Sequence, residues 1–465
     1  MTIKDLIPQT IKNRYHKMQS IWAHLRYDYP AYKLNIIGVT GTDGKTTTAT
    51  MIYSILKKAG YKVGLITSVG ARIDGKEYDT GFHVTTPDPW DIPRYLKIMV
   101  DAGVKWVVLE VTSHALDQNR VANIRFKKAV YTNITKEHLD YHKTWKNLAL
   151  AKAKLINMVE EGGEVIYKVD EKGGKFVKSK VRYNKKVLIG TECNDNLVDN
   201  LTINRDGIKF SYKIKQKDVD LFIPILGEYN VANAQCAIKA CENLVKRNSI
   251  IEALEEFMGV RGRMQVVRSK RPCLVIVDFA HTPNALKCAL KTVKNLINEN
   301  KKDREGRIIL VFGSAGHRDK FKRKRMGSIA RKLADVVVIT SEDPREEKLS
   351  QINGNILKGA NRLKGRLIER YRSRRDYRKD QIEKIIKKID TYYDKGETSI
   401  WVFDEESVNS REDAIEFGIR VANSNDIVLV TGKGHENSLC FGSKEYDWND
   451  VEAVKRAVKI RYQKS

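Results

Sequence analysis

Two successive α/β units, each built on a mostly parallel, doubly wound sheet, are the architecture the sequence predicts. Three observations predict it. At 465 residues the chain is too long for one ordinary core. An apolar run, Leu34–Val39, breaks into glycines and continues as a helically spaced series, Ala49, Ile52, Leu56 and Ala59, before Gly60. A second set of apolar strands, separated by helical stretches, begins at Leu274.

Taken in order, residues 1–33 read as one helical segment ending near Pro30. From Leu34 onward strand and helix alternate, with Val63–Thr67, Trp106–Glu110 and Ala129–Thr132 as further strands. Residues 162–222 are richer in Lys, Gly and β-branched side chains. They predict short strands at Glu164–Lys168, Lys186–Ile189 and Ile208–Ile214, forming a small antiparallel addition to the same unit. A helix over Asn230–Val245 and a polar connection at Gly259–Arg263 follow. The second unit is expected to be a Rossmann-like α/β domain with strands at Leu274–Phe279, Arg307–Phe312, Asp335–Thr340 and Ile427–Val430. Residues 346–401 read as a long charged helical region. The expected boundaries are a helical extension over 1–33, a central domain over 34–265 and a C-terminal domain over 266–465.

The strand–glycine–helix junction carries the clearest chemistry. Gly41-Thr-Asp-Gly44-Lys45-Thr46 reads as a phosphate-binding P-loop: glycines turn backbone N–H groups toward phosphate oxygens, Lys45 neutralises charge, and the Thr46 hydroxyl can ligate Mg²⁺. The general pattern asks for glycine where this chain has Val39. Glu110 ends its strand at the carboxyl edge, where open α/β sheets place ligands and where a carboxylate can hold Mg²⁺. His138 and His142 stand four apart, with Glu137 and Asp140 beside them. That spacing admits zinc, one histidine at a magnesium site, or hydrogen bonding by both, although no known zinc-protease pattern is present.

Composition narrows the classes. The 85 Lys and Arg against 58 Asp and Glu leave a net charge of +27, which attracts anions. The basic residues are spread along the chain, and the densest clusters, His317–Lys332 and Asn361–Lys379, carry no groove-reading motif or aromatic stacking pattern. That argues against nucleic acid as a partner. A basic P-loop ATPase that binds nucleic acid is the alternative from a different class. No apolar run reaches the ~18 residues a membrane-spanning helix needs, and Met1–Leu25 is amphipathic rather than signal-like. Six scattered cysteines include no Cys-x-x-Cys. A cytoplasmic protein without a membrane partner, acting as a monomer, is the expectation.

Several ordered blocks then fall together. Gly38-Val-Thr-Gly-Thr-Asp-Gly-Lys-Thr-Thr47, Glu110-Val-Thr-Ser-His114 and Asn133-Ile-Thr-Lys-Glu-His-Leu-Asp-Tyr-His142 resemble the Mur ligases. So do Asn230-Val-Ala-Asn233, Gly262-Arg-Met264, Val277-Asp-Phe-Ala-His-Thr-Pro283, Phe312–Lys320, Thr340-Ser-Glu-Asp-Pro-Arg345 and Gly432-Lys-Gly-His-Glu436. The blocks are most similar to the branch that adds the third residue of the peptidoglycan stem peptide. In that family Val39 is an accepted form of the loop, with the essential glycine at Gly41. The resemblance implies ATP-driven amide formation: a substrate carboxylate takes the γ-phosphoryl group, and an amine displaces phosphate from the resulting acyl phosphate.

Roles carried over by the resemblance follow the matched positions. Gly41, Thr42, Gly44, Lys45, Thr46 and Thr47 would cradle the ATP phosphates, and Lys45 would stabilise the transferred γ-phosphoryl. Thr46, Glu110 and His138 match magnesium ligands, and Lys152 matches a lysine the family carries as a carbamate, which could join them. Asn233 would lie near adenine, with Arg263, Asp278 and His281 at ribose and phosphates. Thr85, Thr86, Ser113 and Arg120 resemble residues that hold UDP-N-acetylmuramoyl-dipeptide. Asp343, Arg345, Gly432 and Glu436 would form the acceptor pocket. Arg345 favours an acceptor with a distal carboxylate, hence diaminopimelate over lysine. Asp343 replaces the asparagine of the diaminopimelate-adding members and adds charge beside it. The family's uridine-binding domain has no counterpart before Leu34, so a Mur-like ligase acting on another carboxylate, in the manner of folylpolyglutamate synthases, is a second reading.

Overall fold

The β-branched and apolar runs of the chain form parallel strands buried on both faces, as such runs do when helices cover a sheet. The computed structural model describes residues 8–78, 86–169, 172–182, 184, 188–194, 198–267, 273–298, 306–360, 366–371 and 379–462. The chain divides into two units, residues 1–258 and 259–465.

The first unit contains strands β1 (Asn35–Thr40), β2 (Val63–Thr67), β3 (Gly70–Ile73), β4 (Lys76–Tyr78), β5 (Trp106–Glu110), β6 (Phe126–Tyr131), β7 (Val159–Lys168) and β8 (Ile189–Cys193). Among the described residues these form one eight-stranded sheet in the order β4-β3-β2-β5-β1-β6-β7-β8. All neighbours are parallel except in the β2–β3–β4 meander at one edge. β1 lies centrally between β5 and β6, with Val39 opposite both Glu110 and Val130. The chain leaves β1 toward one side of the sheet and returns to the other, so the carboxyl end of β1 is a switch point with a crevice above it. A separate antiparallel sheet, β9 (Val198–Ile203), β10 (Ile208–Ile214) and β11 (Lys217–Ile223), follows.

The antiparallel addition is therefore smaller than the sequence predicts. β7 and β8 pair in parallel and extend the main sheet, and only 198–223 is antiparallel. The strand expected at Lys186–Ile189 instead begins at Ile189, and residues 185–187 lie outside the described residues. The N-terminal segment is a helix, Gln9–Arg26, followed by a 3₁₀ turn at Pro30–Lys33.

The second unit contains β12 (Gln265–Val266), β13 (Leu274–Asp278), β14 (Ile308–Phe312), β15 (Val336–Ile339), β16 (Arg366–Tyr371), β17 (Thr398–Phe403) and β18 (Ile427–Thr431). Their order is β12-β13-β18-β14-β15-β17-β16, parallel except for β12. A hairpin, β19 (Ser438–Phe441) and β20 (Lys444–Asp447), and the helix Asp450–Tyr462 close the unit. The region 346–401 is not one helical stretch: helices at Leu349–Ala360 and Lys379–Asp394 alternate with β16 and β17. Charged residues hide β16 because it is an edge strand, whereas Trp401 and Phe403 on β17 are fully buried. No disulfide joins any of the six cysteines. Cys193, Cys236, Cys241, Cys273 and Cys440 are buried and Cys288 is half-buried.

Candidate active site

The loop between β1 and the helix Lys45–Lys58 turns through two positive-φ glycines, Gly41 and Gly44. Gly44 permits only glycine: at φ +83° its backbone is left-handed, and a Cβ there would stand 2.2 Å from Asn233 Oδ1. Asn233 is held in turn, accepting from the Thr48 hydroxyl at 3.3 Å and donating to Asn230 Oδ1 at 2.8 Å.

The segment after β6 clamps the loop. Thr42 N–H donates to the Asn133 carbonyl at 3.0 Å, and Asp43 N–H donates to Asn133 Oδ1 at 2.9 Å. Thr132 Oγ1 donates to the Asp43 carbonyl at 2.6 Å, and Thr135 N–H donates to Thr42 Oγ1 at 3.0 Å. Lys45 folds back, its Nζ donating to the Thr42 carbonyl at 2.7 Å. Thr47 is buried in the first turn of the helix. Sequence reasoning assigned no role to Thr132, Asn133 or Thr135; their position just past the carboxyl end of a strand neighbouring β1 was the available signal.

At the helix end of the loop, Thr46 Oγ1 donates to Glu110 Oε2 at 3.0 Å, and Ser68 N–H donates to the same oxygen at 3.1 Å. Both side chains are buried. At the strand end, Lys152 Nζ donates to the Gly41 carbonyl at 2.5 Å and to Glu137 Oε1 at 2.9 Å. Burial pushes the Glu137 carboxyl up, but the charges of Lys152, Lys45 and His138 outweigh it and hold it at about 2. Burial pulls the Lys152 amine down, against the attraction of Glu137. His138 stands at φ +47° with Nε2 3.7 Å from Glu137 Oε2 and its ring 4.7 Å from that of His114. His142 turns to Ser113 Oγ at 3.0 Å and is held neutral, its pKa lowered by burial to about 4.

The four residues expected around magnesium therefore fall into groups at the two ends of the loop. Among the described residues no three His, Cys, Asp or Glu side chains converge as a preformed metal cluster. The Thr46–Glu110 pair alone offers a hydroxyl and a carboxylate oxygen, hard donors of the kind Mg²⁺ takes alongside phosphates and water.

Beside β5, Thr86 Oγ1 bonds Thr112 Oγ1 at 3.1 Å and accepts from Thr112 N–H at 3.1 Å. Arg120 Nη1 donates to the Thr86 carbonyl at 3.4 Å, while its buried Nε has no hydrogen-bond partner. Thr86, Ser113 and Arg120 thus share one neighbourhood past the end of β5; Thr85 lies outside the described residues.

In the second unit, Arg263, Asp278 and His281 gather around Phe279. The Arg263 guanidinium lies over its ring at 4.4 Å, and the His281 ring is 4.4 Å away. Asp278 accepts from Met264 N–H at 2.7 Å and Ala280 N–H at 2.9 Å, and burial pushes its carboxyl up.

Asp343 is not an uncompensated charge beside Arg345. Its Oδ1 accepts from the buried Lys433 Nζ at 2.8 Å and from Cys440 N–H at 2.9 Å. Lys433 also pairs with Glu436 at 2.5 Å. Lys433, inside the Gly432–Glu436 run, had no assigned role from sequence. Arg345 has no carboxylate partner among the described residues. Gly432, at φ +115°, backs onto the buried Glu342, whose Oε2 has no hydrogen-bond partner and whose carboxyl burial pushes up.

Comparison with known proteins follows the same division. Residues 39–241 match the Mur ligase middle domain, and residues 262–434 match the Mur ligase glutamate ligase domain. A UDP-N-acetylmuramoyl-L-alanyl-D-glutamate–2,6-diaminopimelate ligase of Clostridium botulinum is 34% identical over 448 residues, 95% of this chain and 82% of that protein. A UDP-N-acetylmuramyl-tripeptide synthetase of Roseiflexus sp. is 32% identical over 447 residues, 93% of this chain and 80% of that protein. A solved structure of a UDP-N-acetylmuramoyl-L-alanyl-D-glutamate–2,6-diaminopimelate ligase superposes with TM-score 0.60 at 26% identity, covering 98% of this chain and 84% of that one. E. coli FolC in complex with DHPP and ADP shares the fold, with TM-score 0.64 at 18% identity over 98% of this chain and 99% of that one.

Proposed function

The chain belongs to the Mur ligase family and is an ATP-dependent ligase that forms amide bonds; within that family, we propose that it adds meso-diaminopimelate to UDP-N-acetylmuramoyl-dipeptide in peptidoglycan precursor synthesis. The observation that supports the acceptor is the pairing of Asp343 with Lys433, a cation shared with Glu436, which offsets the added carboxylate and leaves Arg345 to take an acceptor's distal carboxylate. Glu436, paired with the same Lys433, would turn from it to receive the acceptor's ammonium group.

In the first unit, the loop amides and Lys45 would bind the ATP phosphates, with Lys45 swinging from the Thr42 carbonyl to the γ-phosphoryl. Thr46 and Glu110 would hold Mg²⁺, which supplies charge neutralisation at the phosphates. Arg120, with its unpartnered Nε, would orient the dipeptide carboxylate. A carboxylate oxygen attacks the γ-phosphorus and ADP leaves. The acceptor nitrogen then attacks the acyl carbon, phosphate departs, and the amine's proton is lost.

The test is phosphate release from UDP-N-acetylmuramoyl-dipeptide and ATP with diaminopimelate, lysine and other amino acids assayed in parallel. Release should require both the nucleotide sugar and diaminopimelate, and Lys45→Ala should lower it by ~10³-fold without unfolding the protein. Release supported by lysine in preference would sink the acceptor assignment. Release unsupported by any amino acid with this sugar would move the chain to another carboxylate substrate.

A further inference from the structure

The N-terminal helix Gln9–Arg26 belongs to no part of the site, and its outer face is mostly apolar. Ile11, Tyr15, Met18, Trp22 and Leu25 are each more than half exposed, and Ile21 adjoins them at 38% exposure. At about 100° per residue these six side chains cover an arc of about 120°. The opposite face holds the helix to its unit: Ser20 Oγ donates to the Ala122 carbonyl at 2.9 Å, Asn13 Nδ2 reaches Asp117 at 3.4 Å, and Ala23 and His24 are buried. The apolar arc therefore points away from the unit that carries the helix.

Cations border the arc on both sides. By the same helical periodicity Lys17 lies beyond one margin and Arg26 and Lys12 beyond the other, Arg14 sits inside the arc between Ile21 and Leu25, and the helix contains no Asp or Glu. A second copy of this helix would bring these cations against each other with no carboxylate to meet them. The arc is also wider than a two-position coiled-coil seam. A sheet of anionic headgroups meets both features: acyl chains accept the apolar arc, Trp22 and Tyr15 are interfacial residues, and the flanking cations meet lipid phosphates. We propose that this helix seats the protein on an anionic membrane surface, lying in the plane of the interface without crossing it. No helix among the described residues is long and apolar enough to cross a membrane, and attachment in the plane requires none.

Co-sedimentation of the full chain with vesicles of equimolar phosphatidylglycerol and phosphatidylcholine tests this. The protein should pellet with these vesicles and less with pure phosphatidylcholine. Met18→Glu with Trp22→Glu should lower the partition coefficient at least about tenfold, since two apolar anchors are lost. Arg14→Gln with Arg26→Gln should weaken binding to anionic vesicles alone. Both pairs should keep the parent's thermal midpoint and lipid-free turnover, because all four side chains face solvent. A parent chain that stays in the supernatant overturns the proposal. So does binding undiminished by Met18→Glu with Trp22→Glu, and so does a lipid-free dimer that this pair dissolves.

Discussion

Lys152 is the buried cation at the strand end of the glycine loop. Its amine is buried between the Gly41 carbonyl and Glu137, and burial makes it easier to deprotonate than an exposed lysine. The neutral amine is the form that adds CO₂: nitrogen attacks carbon, a proton leaves, and a carbamate anion remains. That product would face Glu137 as a like charge, so carbamylation requires the pair to part. Removing dissolved CO₂ and bicarbonate should lower turnover several-fold, with recovery on adding bicarbonate; turnover indifferent to both would make the amine the working form. Lys152→Ala should also destabilise the fold by about 3–5 kcal/mol, because it leaves Glu137 buried without its hydrogen-bonded cation, as read by denaturant unfolding. Without the family resemblance, the sequence shows Lys152 only as a surface lysine on a helix. Its burial and its pairing arise from contacts across long chain separations that no local pattern contains.

At the level of elements, the β1–loop–helix junction was legible because each of its parts has a local cause: an apolar strand, glycines, then helical spacing. The clamp from Thr132–Thr135 was not, since those residues look like any polar turn after a strand until the register places β6 beside β1. Gly44→Ala tests the junction. The change forces a Cβ into left-handed backbone and against Asn233, costing about 2 kcal/mol or more. Thermal unfolding should fall, and ADP binding measured by titration should weaken at least tenfold. Adding Asn233→Ala should recover part of the stability by removing the clash while leaving the backbone strain. In the second unit, β16 escaped sequence reading because its charged residues mimic the solvated helix beside it. β17 escaped because its apolar run was absorbed into the same charged stretch.

For the whole molecule, acid should unfold the protein before it would unfold one with exposed histidines. His24 is fully enclosed, stacked on Tyr29 with Nδ1 lacking a hydrogen-bond partner, and burial lowers its pKa to about 4. His142 is lowered to about 4 for the same reason. A histidine depressed in the fold binds its proton more readily unfolded. The stability it contributes is therefore present above its ordinary value of 6.5 and is lost as pH falls toward 4. The difference is on the order of 3 kcal/mol for each buried imidazole. The thermal midpoint should fall steadily over that window, and His24→Leu should flatten the fall; a midpoint independent of pH there would mean both rings are reached by water in the native state. The two-unit architecture was readable at this scale from length and strand spacing. The pairing of Asp343 with Lys433 was not, because it joins residues that follow two different strands, β15 and β18.

The distribution of thiols has a practical consequence. Cys193, Cys236 and Cys241 belong to the first unit, and Cys273, Cys288 and Cys440 to the second, all without disulfides. A thiol-reactive dye under native conditions should meet Cys288 first, and the remaining sulfurs only as their surroundings open. Mass analysis of the labelled peptides would then time the breathing of the first unit and of the second separately, without introducing a probe.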